Sequence, residues 1–189
     1  MNLGSDPDSE PATLIAALRR ATSPLGLWRP KTFRKAEVIF DQDAAADAVF
    51  VLQSGLVKLI YRTEDGNEWV KSFVFDVGVF APQSLEGPAS YSAICLEPSQ
   101  VVRLPMVQVA GAMEKDASVR EAYFAFSAWL MRKKQLREAA LLGAAPEARY
   151  RSLLRDEPQL VTRLAQGDIA RYLGITPVAF SRIKRRLAG

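Results

Sequence analysis

A chain of 189 residues, 49% apolar and 24% charged, has the length for one or two domains and the composition of a folded protein with a substantial core. It holds no histidine and one cysteine, Cys95. That excludes internal disulfides, histidine-based metal and haem sites, four-cysteine iron-sulfur clusters within one chain, and the usual serine or cysteine hydrolase dyads. The net charge of +4 is unevenly placed: from residue 143 onward there are nine Lys or Arg against four acids, while the first 142 residues carry 16 bases and 17 acids. One end alone is built to meet phosphates. No apolar run reaches membrane-spanning length, and residues 1–11 are polar and acidic without a secretory pattern, so the expectation is a cytoplasmic chain with no membrane partner.

In chain order, residues 1–11 read as a disordered lead and 12–20 as a short amphipathic helix carrying Leu14, Ile15 and Leu18 on one side. From Trp28 the period changes to two. Short β-rich runs then fall at 28–33, 37–40, 48–53, 56–62, 68–75, 79–82, 91–96 and 100–104, separated by turn residues. Glu64-Asp65-Gly66-Asn67 is a strong hairpin signal and Ser54-Gly55 another. Eight short strands at nearly regular spacing suggest an antiparallel, jelly-roll-like β-barrel, with Cys95 a packed strand residue.

After Pro105 the helical period returns, with a short helix at 106–113 and a long one at 117–142. The long helix spreads its apolar residues over more than one face, so packing on the barrel leaves apolar area uncovered, and a partner helix is the economical solution. Gly143-Ala-Ala-Pro146 breaks it and reads as a hinge. Residues 146–156 form the next helix, with Tyr150, Leu153 and Leu154 expected inward, and 160–164 a connector.

The last two dozen residues carry the sharpest signal. Ile169, Leu173, Ile175, Phe180 and Ile183 are apolar at spacings that fit two short helices across a tight turn. Gly174 can take the left-handed conformation that ends the first helix, and Ala170 is small enough for close approach of the second. Thr176 can cap the second helix and Pro177 fill its first position. With Phe180, Ile183 and Leu187 inward, Val178, Ser181, Arg182 and Arg185 face outward. An arginine fork can bond a guanine edge and an apolar side chain can touch a thymine methyl, so this face suits a DNA major groove. The plainer alternative is a solvated basic face on a helical bundle.

A β-barrel, a long helix, a hinge and a terminal helix-turn-helix together resemble the Crp/Fnr family of bacterial transcription regulators over most of the chain. The residues that carry the resemblance are Phe33-Arg-Lys-Ala-Glu-Val-Ile-Phe40, Val49-Phe-Val-Leu-Gln-Ser-Gly55 and Gln166-Gly-Asp-Ile-Ala-Arg-Tyr-Leu-Gly-Ile-Thr176. The resemblance implies an α+β chain: a β-roll of the cyclic-nucleotide-binding type at 12–116, a dimerisation helix at 117–142 and a DNA-binding domain at 143–189. Ala122, Phe126, Trp129, Lys133 and Leu136 become the candidate dimer interface. The family's base-reading positions match Pro177, Val178, Ser181 and Arg182; Lys184, Arg185 and Arg186 would mainly neutralise phosphates, and Gln166 and Thr176 could bond them from helix starts. Implied partners are double-stranded DNA, a second copy of the chain, RNA polymerase and an unidentified small-molecule effector; no cofactor is implied.

The departures matter equally. Members that bind cyclic AMP carry a phosphate cassette with an early Gly-Glu and a later Arg-Ser. Here the corresponding positions are Gly78-Val79 and Tyr91-Ser92, so the acid for the ribose and the arginine for the phosphate are both missing. Gly78, Val79, Tyr91 and Ser92 remain candidates for an effector pocket that does not take cyclic AMP. A roll serving only as a ligand-free scaffold, and a protein-protein adaptor, are the alternative readings. A cupin-type enzyme is the remote one, because with no histidine it would need a carboxylate site built from Glu68, Asp76 or Glu86. Otherwise the chain is expected to be no enzyme.

Overall fold

A computed structural model of the chain describes residues 10–45, 47–82 and 87–188, the side chain of Ala188 excepted. Most of the lead expected at 1–11, and Glu86, lie outside the described residues. Helix α1 (Glu10–Thr22) buries Leu14 and Leu18 and closes through a 3-10 turn, Ser23–Leu25. Eight strands follow: β1 (Pro30–Phe33), β2 (Val38–Phe40), β3 (Ala48–Ser54), β4 (Leu56–Arg62), β5 (Glu68–Phe75), β6 (Gly78–Phe80), β7 (Ser92–Cys95) and β8 (Ser99–Pro105). They form two four-stranded antiparallel sheets, ordered β1-β8-β3-β6 and β2-β7-β4-β5. The expected jelly-roll-like architecture is present, and β4 and β5 span the residues expected of them.

The apolar pattern explains the layers. Along β3, Phe50 and Leu52 point into the roll, where they meet Val57, Leu59, Val74, Phe80 and Tyr91. Val49 and Val51 point the other way, under α1, α2 (Met106–Lys115) and the long α3 (Ala117–Gly143). Because both faces are covered, β3 reads as a continuous apolar run, not an alternating one. Cys95 is fully buried in β7, as expected of a packed strand residue. At the β3–β4 corner Gly55 has φ +108°, and a Cβ there would lie 2.2 Å from Ser99 Oγ, so no side chain fits.

Four helices complete the chain: α4 (Pro146–Asp156), α5 (Pro158–Arg163), α6 (Gln166–Tyr172) and α7 (Pro177–Ala188). Two expectations are corrected here. The connector expected at 160–164 is largely helix α5, which starts at Pro158 where the missing N–H costs nothing and buries Leu160. Leu154 is exposed, since the buried stripe of α4 runs through Tyr150 and Leu153 and leaves Leu154 on the water side. The C-terminal helices pack on the roll. Leu56, Ile60, Val70, Phe73 and Phe75 on the outer face of β4–β5 share one apolar core with Tyr150, Leu160, Ile169, Tyr172, Leu173, Phe180 and Ile183.

Candidate nucleic-acid interface

The turn between α6 and α7 is built from backbone chemistry. Gly174 has φ +69°, and its amide donates to the Arg171 carbonyl at 3.3 Å while the Ile175 amide donates to Ala170 at 3.0 Å, closing the end of α6. Fully buried Ala170 lets α7 cross closely. The Thr176 hydroxyl accepts from the Ala179 amide at 3.2 Å, the cap that the sequence suggested, and Pro177 opens the helix behind it. Phe180 then stands edge-on to Tyr150, ring centroids 4.8 Å apart, and fixes α7 on α4.

That anchoring decides what α7 presents. Phe180 and Ile183 are buried and Leu187 half-buried, whereas Pro177, Val178, Ser181, Arg182, Lys184, Arg185 and Arg186 are exposed. Gln166 and Thr176 are exposed at the starts of α6 and α7. Among the described residues Arg182, Lys184 and Arg185 make no ion pair, while Arg186 reaches Glu147 of α4 at 3.3 Å. A helix face with unpaired guanidiniums and one apolar residue, Val178, therefore stands toward solvent.

The motif is tied to the roll by contacts that the sequence did not disclose. Lys58 Nζ on β4 lies 3.1 Å from Asp168 Oδ1 at the start of α6, both side chains largely buried. Arg163 on α5 reaches Asp76 at 2.8 Å, the Gly55 carbonyl at 3.1 Å and, more closely, Glu97. From α3, Arg137 donates to the carbonyls of Val70 on β5 and Tyr172 on α6, at 3.0 and 2.8 Å, and stacks 3.9 Å from the Tyr172 ring. Burial pushes the Tyr172 phenol up to about 12, so it stays protonated.

A cavity of about 750 Å³ lies between the roll and α3. Val79 and Tyr91, both expected at an effector pocket, line it. Gly78 pairs with Leu52 in the ladder, and the Ser92 hydroxyl accepts from the Gln42 amide at 2.8 Å; neither reaches the cavity. Burial raises the Tyr91 phenol well above its ordinary range, and its hydroxyl donates to the Ala81 carbonyl. Sequence reasoning missed Lys71, Lys134 and Arg137 in the wall. Lys71 falls where Leu59 pairs with Ser72 and Ile60 with Val70, so it is the extra residue of a β-bulge, which no alternation pattern reveals.

On the long helix, Ala122 and Phe126 are packed into the chain's own core, which withdraws most of their surface from any partner. Trp129 is half-buried against Phe126, with Lys133 Nζ 5.7 Å from its ring. Leu136 stays exposed, together with Phe124, Met131 and Leu142. Of the carboxylates a cupin-type site would need, Glu68 faces Arg62 and Asp76 faces Arg163. Among the described residues no group of acids and cysteine is placed to hold a metal, and no helix is long and apolar enough to cross a membrane.

Residues 30–116 match the family model of the cyclic nucleotide-binding domain. The chain as a whole has the fold of the Crp/Fnr transcription regulators, as the sequence resemblance implied. FixK2 from Bradyrhizobium japonicum superposes with a TM-score of 0.76 at 21% identity, over 85% of this chain and 84% of that one. A CooA mutant from Carboxydothermus hydrogenoformans superposes with 0.78 at 13% identity, over 100% and 88%. A putative Crp/Fnr regulator from Eubacterium rectale gives 0.72 at 14%, over 92% and 82%. A search of curated proteins by sequence finds no match.

Proposed function

We propose that this chain is a sequence-specific DNA-binding transcription regulator that works as a homodimer, with the cyclic nucleotide-binding domain as a sensor of something other than cyclic AMP. The observation that carries the reading is the exposed face of α7, where Val178, Ser181 and Arg182 project from a helix that is capped and buried on its other side. Arg182 reads a guanine and Val178 or Pro177 a thymine methyl, while Lys184, Arg185 and Arg186 meet phosphates, with Gln166 and Thr176 assisting from helix starts. The exposed apolar residues of α3 support a second copy: Leu136 continues the side of Ala122, Phe126 and Trp129 beyond the chain's own core, and Phe124 and Met131 lie on the other side. On this reading residues 12–116 are the sensor, 117–142 the dimerisation helix and 143–189 the DNA-reading part.

The test is selection of bound fragments from random double-stranded DNA, followed by gel shifts over a salt series. A near-palindromic site with half-sites about one helical turn apart, bound with a steep loss of affinity as salt rises, is the expected result. Absence of any sequence preference would overturn it.

A further inference from the structure

The wall of the cavity has an unusual chemistry. Leu59, Val79, Phe80, Val109, Phe126 and Leu130 make most of it apolar, and the hydroxyls of Ser72 and Ser127 are almost its only neutral polar groups besides Tyr61 and Tyr91. Against this stands a set of cations from two elements: Lys71 from the β5 bulge, and Lys134 and Arg137 from α3. Lys71 Nζ lies 4.4 Å from the centre of the Tyr91 ring, and Tyr61 stands edge-on to Tyr91 at 6.4 Å. Among the described residues no carboxylate pairs with Lys71, Lys134 or Arg137. The remaining charged groups of the wall are Glu138, exposed on α3, and Arg171 on α6.

Lys71 is half-buried, and a lysine partly withdrawn from water with like charges for neighbours is costly unless an anion completes it. Burial, with Lys134 and Arg137 close by, accordingly brings the Lys71 ammonium down to about 7. Burial lowers Lys134 and Arg137 as well. Volumes of about 300–1,000 Å³ suit small organic ligands, and 750 Å³ falls inside that range. A nucleotide's sugar and base would find few polar partners here, whereas an aromatic or aliphatic body would find many apolar ones.

We propose that this cavity binds an amphipathic organic carboxylate, its head held among Lys71, Lys134 and Arg137 and its apolar body in the chamber under α3. The proposal rests on the reading of the domain as a sensor, and it names the class of ligand sensed. Arg137 also gives the ligand a route to the DNA-reading end. One of its terminal nitrogens already holds the carbonyls of Val70 and Tyr172, so a carboxylate taken by the other guanidinium nitrogens meets the residue that fixes the end of α6.

Isothermal titration calorimetry of the full chain with decanoate, 4-phenylbutyrate and 1-naphthylacetate, each against its primary amide, tests this. The expected result is saturable binding of at least one acid, with its amide about tenfold weaker or worse. Affinity should fall as pH rises from 6 to 8.5, because Lys71 loses its proton while the acid stays ionised. Lys71→Met and Lys134→Met should each weaken the acid about tenfold, with the amide unaffected. Equal binding of acid and amide, undiminished binding by both variants, no acid bound at all, or cyclic AMP bound more tightly than every acid would each overturn the proposal. Gel shifts on the same preparation without added acid keep the two readings apart. DNA binding without acid binding sinks only the ligand class, and acid binding without DNA binding sinks only the regulator.

Discussion

Arg182 and Arg186 lie one turn apart on α7, yet their surroundings give them different work. Arg182 is free of any ion pair among the described residues, and its guanidinium can adopt the geometry a guanine edge requires. Arg186 leans on Glu147, an exposed pairing of small energetic weight. Arg182→Ala should therefore cost about 1–3 kcal/mol at the selected site and relax preference at one base pair. Arg186→Ala should weaken all DNA alike and flatten the salt dependence, and binding to specific and random duplexes at three salt concentrations distinguishes the two outcomes. Lys71 offers a second residue-scale prediction, in stability. Its folded pKa of about 7 lies below the 10.5 of a free lysine, so between those values the unfolded chain binds more protons and stability rises with pH. The penalty is complete below pH 7 and gone above 10.5. Lys71→Met should thus raise the melting temperature of ligand-free protein by about 5 °C at pH 6 and change it little near pH 10.5, which a pair of thermal melts can check.

At the scale of the element, α3 divides its apolar residues between two tasks. Val119, Ala122 and Phe126 close the chain's own core in its first half, while Leu136, on the same side about three turns further along, is left to solvent, as are Phe124, Met131 and Leu142 on the far side. Leu136→Glu should leave the melt of the roll unchanged while shifting sedimentation toward monomer at micromolar concentration, since a carboxylate is costly in an apolar helix seam. Unaltered sedimentation would remove Leu136 from the interface. The same helix shows what a sequence conceals. Periodicity located its ends to within a residue, because a 27-residue helix repeats its pattern many times. It does not say where along one stripe the chain's own core ends: Ala122, Phe126, Trp129 and Leu136 recur at helical spacing, yet Ala122 and Phe126 are buried in this chain and Leu136 is exposed. Helix α5 was missed for the opposite reason: six residues are too short to display a period, and only Pro158 marked its start. Helix α7 was legible because glycine, cap, proline and apolar spacing all agree locally, whereas Lys71 and Arg137 reach the cavity wall through a bulge and a distant carbonyl that no local pattern encodes.

For the whole molecule, the decisive fact is that the outer face of β4–β5 serves as the floor of the C-terminal helices. Phe73 packs tilted against Tyr172 with ring centroids 5.3 Å apart, and this shared core extends from Leu56 to Ile183. Two parts that share a core should unfold together, so heating should give a single cooperative transition. The Lys58–Asp168 pair lies at that floor, with side chains only 13% and 10% exposed. A buried pair adds little over an apolar substitute, but breaking one partner leaves a charge that water cannot reach. Among the described residues Lys58 pairs with no second acid, while Asp168 has a longer contact with Arg171 at 3.8 Å. Asp168→Asn should then cost about 3–5 kcal/mol, and the double variant Lys58→Met/Asp168→Leu should recover most of it. Chemical denaturation of the three proteins reads both numbers. If Asp168→Asn instead matched the parent, or if the parent melted in two separated steps, the C-terminal helices would be held to the roll by something weaker than this core, and the path from cavity to α6 through Arg137 would lose its rigid support.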